Sequence, residues 1–279
     1  MDRPLAKEIL TKIGAFIEIV RPINVLITVF VALVGLKIAR GFDWDVVLAL
    51  ATLCAFGNAL NDLVDAKLDA VAHSKRPIPS GRLSGHEVKI LVFALLGLIM
   101  LFSAGMKPMG VLTLWVTVAV VAAYDLKLSK VPLIGNISVA FATAMAFIVA
   151  GAAIGNLNFQ LFEAALLAFT FHMAREMVKD IEDMNADKLF GRKSLPIIAG
   201  VRFTVMSARL FGILFAVVSL IIALRCRCPG FWVFAAISNY IVLKTLFGLR
   251  ATVDRKKFSK ASFRLKIAII PILMALAFV

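Results

Sequence analysis

The chain has 279 residues, 61% of them hydrophobic, and a formal net charge of +14. Soluble domains run at about 45–50% apolar, so a mean hydropathy of +0.95 excludes an ordinary soluble fold and points to a polytopic membrane protein. The charge carries no nucleic-acid motif with it, so its basic residues read as topological determinants, as contacts for membrane lipids, or as partners of a phosphorylated substrate.

The N-terminal stretch MDRPLAKEILTKIGAF has no apolar core followed by a small-residue cleavage site, so no removable signal peptide is expected. Apolar stretches near the ~20 residues that cross a bilayer follow at 16–39, 46–66, 87–106, 108–124, 132–155, 159–179, 201–224, 230–249 and 264–279. The expected fold is all-α: one polytopic domain over residues 1–279, about nine transmembrane helices around a central polar cavity open to the cytoplasmic side. The Lys107–Pro108 step predicts a tight hairpin between the third and fourth spans. The last span is short, tilted or incomplete.

Basic residues alternate between the loops. Arg3, Lys7, Lys12 and Arg21 precede or open the first span. Lys67, Lys75, Arg76, Arg82 and Lys89 surround the second loop. Lys127 and Lys130 follow the fourth span; Lys188, Arg192, Lys193 and Arg202 follow the sixth; Arg250, Arg255, Lys256, Lys257, Lys260, Arg264 and Lys266 follow the eighth. The opposite side carries Lys37, Arg40, Lys107, Arg225 and Arg227. The positive-inside rule places the N-terminus in the cytoplasm and the C-terminus outside.

Two acidic clusters interrupt the apolar chain at the ends of the second and sixth spans. At 100° per residue, Asn61, Asp62, Asp65 and Asp69 fall within an arc of about 100°, and Glu176, Asp180, Asp183 and Asp187 within about 60°. Either stripe alone also fits a solvated helix end. Two on the same side, each followed by a basic loop, argue for one site. Carboxylates crowded on one face repel unless a cation lies between them. A hard divalent cation such as Mg²⁺ takes oxygen ligands and bridges carboxylates to substrate phosphates, and nearby Arg and Lys clamp phosphoryl oxygens. His73, His86 and His172 lack metal-ligand spacing and read as structural or surface residues. Cys54, Cys226 and Cys228 suit neither a disulfide framework nor a zinc or redox motif. The many Phe residues face lipid or the packing interior, a few of them lining a channel.

The segment from Gly57 to Asp69, GNALNDLVDAKLD, followed by KRPIPSG from Lys75 to Gly81, resembles the first signature of the UbiA superfamily of intramembrane prenyltransferases, an NDxxDxxxD run and an RPxPSG loop. DIEDMNADKLFGRKSLP, from Asp180 to Pro196, resembles the second. YDLK (Tyr124–Lys127) and RPIN (Arg21–Asn24) are similar to the family's segments after helix four and at the start of helix one. The resemblance implies a nine-helix fold and transfer of a prenyl group from a polyprenyl diphosphate held through two Mg²⁺ ions. It implies Asn61, Asp65 and Asp69 as ligands of one ion and Asp183 and Asp187 as ligands of the other. Asp65, Asp69, Asp183, Asp187 and Lys127 become the catalytic set. Arg21, Asn24, Asp62, Lys75, Arg76, Tyr124, Lys130, Asp180, Arg192 and Lys193 become the substrate-binding set. The loop between Asp69 and Arg76 is shorter than in some relatives, which leaves Lys75 and Arg76 as alternatives.

Three stretches (Asn61–Gly81, Leu126–Ala140 and Met177–Pro196) are similar to the branch that makes an archaeal ether-lipid precursor. Its acceptor, geranylgeranylglyceryl phosphate, is itself anionic. Aromatic acceptors (hydroxybenzoate, naphthoate) and haem belong to sister branches. From other classes, a cation-coupled secondary transporter would carry its charges at the midplane on broken helices. The CDP-alcohol phosphotransferase pattern is absent, since Asp62 is followed by Leu63.

Overall fold

The computed structural model describes residues 3–250 and 254–279, and among them the side chains from residue 9 onward except Ala72. The Arg3 and Lys7 side chains, counted above among the basic residues, lie outside that set. The described residues form α-helices and one 3₁₀ turn, with no strand.

Helix α1 (Arg3–Ile19) and α2 (Pro22–Ile38) meet at a bend of 46°. Proline at the first position of α2 needs no backbone donor there, and Arg21 before it takes a left-handed conformation, φ 53°. The first span is therefore a bent pair broken at Arg21 rather than one continuous helix from residue 16. Helix α3 (Trp44–Val64) opens on Asp43, whose side chain accepts from the Asp45 N–H at 2.8 Å, and is followed by the short α4 (Ala66–Ala72). Helix α5 (Gly85–Ser103) begins with a capping box between Ser84 and Glu87.

Helix α6 (Pro108–Leu126) starts at its proline as expected. The two helices joined at Lys107 do not form a packed hairpin, however. α5 lies mainly against α3, and α6 lies mainly against α7 (Ile134–Ile154). Gly110 explains the second contact: a Cβ there would sit 2.2 Å from the Ala153 Cα. The glycine lets two backbones touch.

Helix α8 (Phe159–Leu189) has 31 residues, about 46 Å at 1.5 Å per residue. That exceeds the ~30 Å hydrocarbon core, so its acidic end extends past the apolar part. α9 (Leu195–Ile198), α10 (Gly200–Cys226), α11 (Pro229–Gly248) and α12 (Arg255–Leu276) complete the chain. α12 is longer than the 264–279 span because its basic N-terminal turns are helical too.

Among the described residues six helices can cross a membrane by length and apolar composition: α3, α5, α6, α7, α10 and α11. The bent α1–α2 pair makes a seventh. The spans expected at 159–179 and 264–279 fall on α8 and α12, whose internal charges set them apart from these. Two apolar cores hold the bundle. One joins α8, α10, α11 and α12; the other joins α1, α3, α5 and α6; α2 and α7 contribute to both. The cavities described next are lined from both halves.

Candidate active site

The chain between α3 and α4 breaks at Asp65, which ends the first helix and opens the second. The first acidic stripe is therefore not one helix face. Asn61 and Asp62 end α3, Asp65 occupies the joint, and Asp69 lies on α4. The second stripe stays on one helix, α8, with Glu176, Asp180, Asp183 and Asp187 spaced by four, three and four residues. α4 packs against α8, and this contact turns the two stripes toward one chamber.

That chamber has a volume of about 300 Å³. Asp65, Asp69, Asp180, Asp183 and Asp187 line it together with Arg76, Arg192, Lys193, Asn136 and His73. A second, mainly apolar chamber of about 350 Å³ lies beside it, walled by residues such as Val31, Leu50, Phe147, Phe171, Phe215 and Leu276. The two share Arg21, Asn61, Tyr124, Arg175, Glu176 and Lys179. A polar chamber thus opens on an oily one through a ring of charged and aromatic groups.

The carboxylates are held by arginines. Arg76 Nη1 donates to Asp69 Oδ2 at 2.6 Å and to Asp62 Oδ1 at 3.4 Å. Arg21 also pairs with Asp62, and Arg192 pairs with Asp65, bridging the two acidic segments. Asn61 Nδ2 donates to Asp125 Oδ1 at 3.1 Å and to Asp65 Oδ2 at 3.4 Å. Asn136 Nδ2 donates to Asp180 Oδ2 at 2.9 Å. Burial pushes the Asp69 carboxyl up from its ordinary range, and the Arg76 charge opposes the shift without cancelling it. Burial, then the same arginine, holds the His73 imidazole below its usual value.

The chamber gathers Arg21, Asn61, Asp65, Asp69, Arg76, Tyr124, Asp180, Asp183, Asp187, Arg192 and Lys193 from the residues expected in sequence. Asn24 lines the apolar chamber alone. Asp62 is 4% exposed and lies behind the chamber wall, anchoring Arg21 and Arg76. Lys75, Lys127 and Lys130 are exposed and line neither chamber. The choice between Lys75 and Arg76 falls to Arg76: the turn that sends the arginine inward leaves the preceding lysine outside. Lys127 is displaced because α6 ends at Leu126, so it no longer continues the face of Tyr124.

Sequence reasoning missed Lys179, Arg175, Asp125, Asn136 and Lys266. Arg175 and Lys179, four residues apart on α8, form a basic stripe beside the acidic one, a signal that helical periodicity could have found. Asn136 lies inside the Leu126–Ala140 stretch already noted as similar to the ether-lipid branch, but no spacing or charge singled it out there. His172, expected to be structural or at the surface, lines the apolar chamber, as does Cys54.

Among the described residues no three His, Cys, Asp or Glu side chains form a ready-made metal cluster. The donors present are oxygens split between two facing segments. That suits a hard cation whose remaining positions are filled by substrate phosphate, with Asn61, Asp65 and Asp69 on one side and Asp183 and Asp187 on the other.

An all-helical membrane bundle with an acidic chamber opening on an apolar one suits an amphiphilic substrate, and the family match makes the chain a multi-pass membrane polyprenyl transferase. The chain belongs to the UbiA prenyltransferase family, whose description matches residues 25–270. It is 36% identical to the digeranylgeranylglyceryl phosphate synthase of Methanothermobacter thermautotrophicus over 70% of each chain. It is 31% identical to that of Methanobrevibacter smithii over 94% of this chain and 96% of the other. A solved digeranylgeranylglyceryl phosphate synthase structure superposes with a TM-score of 0.74 at 25% identity, covering 95% of this chain and 97% of that one. A UbiA homolog from Archaeoglobus fulgidus bound to DMAPP and Mg²⁺ has the same fold, with a TM-score of 0.68 at 17% identity over 92% and 98% of the two chains.

Proposed function

We propose that the protein transfers a geranylgeranyl group from geranylgeranyl diphosphate to the glycerol hydroxyl of geranylgeranylglyceryl phosphate, releasing diphosphate and forming an ether-lipid precursor. The observation that carries this reading is the junction of the two chambers: an amphiphile with an anionic head and an isoprenoid tail matches both at once. The synthases similar to this chain supply the choice of acceptor.

In this reading the diphosphate lies between the two acidic segments. Asn61, Asp65 and Asp69, with Asp183 and Asp187, would hold Mg²⁺, one ion for each of the paired motifs, which would offset the charge gathering on the leaving group. Arg76, Lys179, Arg192 and Lys193 add positive charge around the departing oxygens. The C1–O bond breaks with its electron pair on the diphosphate, and the allylic carbon is left at the shared ring beside Tyr124, whose π-face favours a cation. The apolar chamber holds the tail and excludes water that would otherwise capture the cation. The glycerol oxygen then bonds to C1, and its proton passes to the released diphosphate. Basic loops near the chamber support a cytoplasmic site and N-terminus, with the C-terminus outside.

The test offers geranylgeranyl diphosphate with glyceryl-phosphate, benzoate and naphthoate acceptors and analyses products by mass spectrometry. The expected product is the phosphorylated diether. Asp65→Ala and Asp183→Ala should each abolish Mg²⁺-dependent product formation while the protein stays folded. Full activity in both variants, or prenylation of an aromatic acceptor alone, would overturn the reading.

A further inference from the structure

The basic residues after the eighth span read in sequence as topological charges, and Lys266 breaks that pattern. It lies on α12 and lines the apolar chamber, not the aspartate chamber. Its ammonium donates to Asn24 Oδ1 at 2.8 Å, a neutral partner. The charged side chains that act on it most strongly are Arg175 and Arg21, both positive. Among the described residues no carboxylate pairs with this ammonium, although Asp125 and Glu176 also line the chamber, and an ionisable group facing a largely apolar cavity marks a ligand site.

Arg175 completes the feature. It lines both chambers and pairs with its neighbour Glu176, yet its Nε is buried without a hydrogen-bond partner. One turn earlier on α8, His172 lines the apolar chamber, and its buried Nδ1 is likewise unpartnered. The geometry of Lys266 is built rather than incidental. Asn24 Nδ2 reaches Asn58 Oδ1 at 3.5 Å, and Asn58 Nδ2 donates to the Val20 carbonyl at 2.9 Å. This ladder fixes the amide oxygen that aims the ammonium.

We propose that Lys266 and Arg175 form a second anion subsite, in the apolar chamber at its border with the aspartate chamber, that binds the phosphate monoester of the acceptor. The subsite rests on the reading that the acceptor is a prenylated glyceryl phosphate. It accounts for two anionic substrates in one cavity. The diphosphate takes the acidic chamber through its cations, the monoester takes the basic residues of the apolar chamber, and the shared ring lies between. Asn24 is a positioning residue for Lys266.

The test uses the full-length enzyme in detergent, with geranylgeranyl diphosphate and either geranylgeranylglyceryl phosphate or its neutral counterpart geranylgeranylglycerol. Loss of a charge-assisted contact predicts that Lys266→Met raises the acceptor KM by about 10- to 100-fold. The donor KM should stay within about twofold, since the diphosphate contacts are untouched. The variant should also lose the preference for the phosphorylated over the neutral acceptor, and Lys266→Arg should restore most of it. Should Lys266→Met fail to fold, Asn24→Leu tests the same point through a smaller rise in acceptor KM. A donor KM that rises in step with the acceptor KM, or an unchanged acceptor preference, overturns the proposal. If the wild type refuses the glyceryl phosphate and prenylates an aromatic carboxylate, the acceptor assignment fails by itself. The KM for that carboxylate in Lys266→Met then decides the subsite, a rise retaining it for an anionic acceptor and no change removing it.

Discussion

The apolar chamber should measure the length of the donor. Val31 lines it ten residues along from Arg21 at the shared ring, and Leu50 lines it eleven residues before Asn61. At 1.5 Å per residue both walls give a depth of ~15 Å below the reacting carbon. Val31→Phe would fill the far layer with roughly one isoprene unit's worth of carbon. Expelling about five carbons at ~0.8 kcal/mol each removes about 4 kcal/mol of tail burial. Partial relaxation of the wall would leave about half of that, or ~30-fold in kcat/KM. The expected result is a loss of about 30-fold or more with geranylgeranyl diphosphate and a change within about threefold with farnesyl diphosphate. Steady-state assays with both donors in detergent, alongside a melting curve to check folding, read this directly. Equal losses on the two donors, or no loss on either, would refute the placement of the tail in this chamber.

The other predictions follow from residues whose positions differ from the sequence expectation. Lys179→Met should reduce kcat/KM by about 10- to 100-fold, because Lys179 lines both chambers and a charge-assisted contact contributes about 1.5–3 kcal/mol. Lys127→Ala, at an exposed helix end, should cost less; the reverse order would return Lys127 to the site. Gly110→Ala should destabilise the fold by about 1–3 kcal/mol, since its Cβ would meet the Ala153 backbone N at 2.6 Å. Gly97→Ala, with nothing within 4 Å of its Cβ, should leave the detergent melting temperature unchanged or slightly raised. Equal melting temperatures for the two variants would remove the close α6–α7 approach as a determinant of stability.

By itself the sequence determined the class of the protein and marked most of the carboxylates that line the acidic chamber. Apolar runs of bilayer length read out the helices because each span must satisfy its backbone bonds internally, which makes hydropathy a local property. The carboxylates were legible for the same reason: a charged residue beside an apolar span stands out against its neighbours. Helix ends were less legible. Asp65 breaks α3 and Arg21 breaks the α1–α2 pair, so stripes and spans drawn as continuous are divided. What only the tertiary structure decided was which basic residues face the site. Every loop on this side is basic for topological reasons, so composition cannot separate a ligand-facing lysine from one facing solvent. Lys127 and Lys130, beside a recognisable motif, turn away where α6 ends. Lys179 and Lys266, which no motif marks, are carried into the chambers by the packing of α8 and α12 against the rest of the bundle.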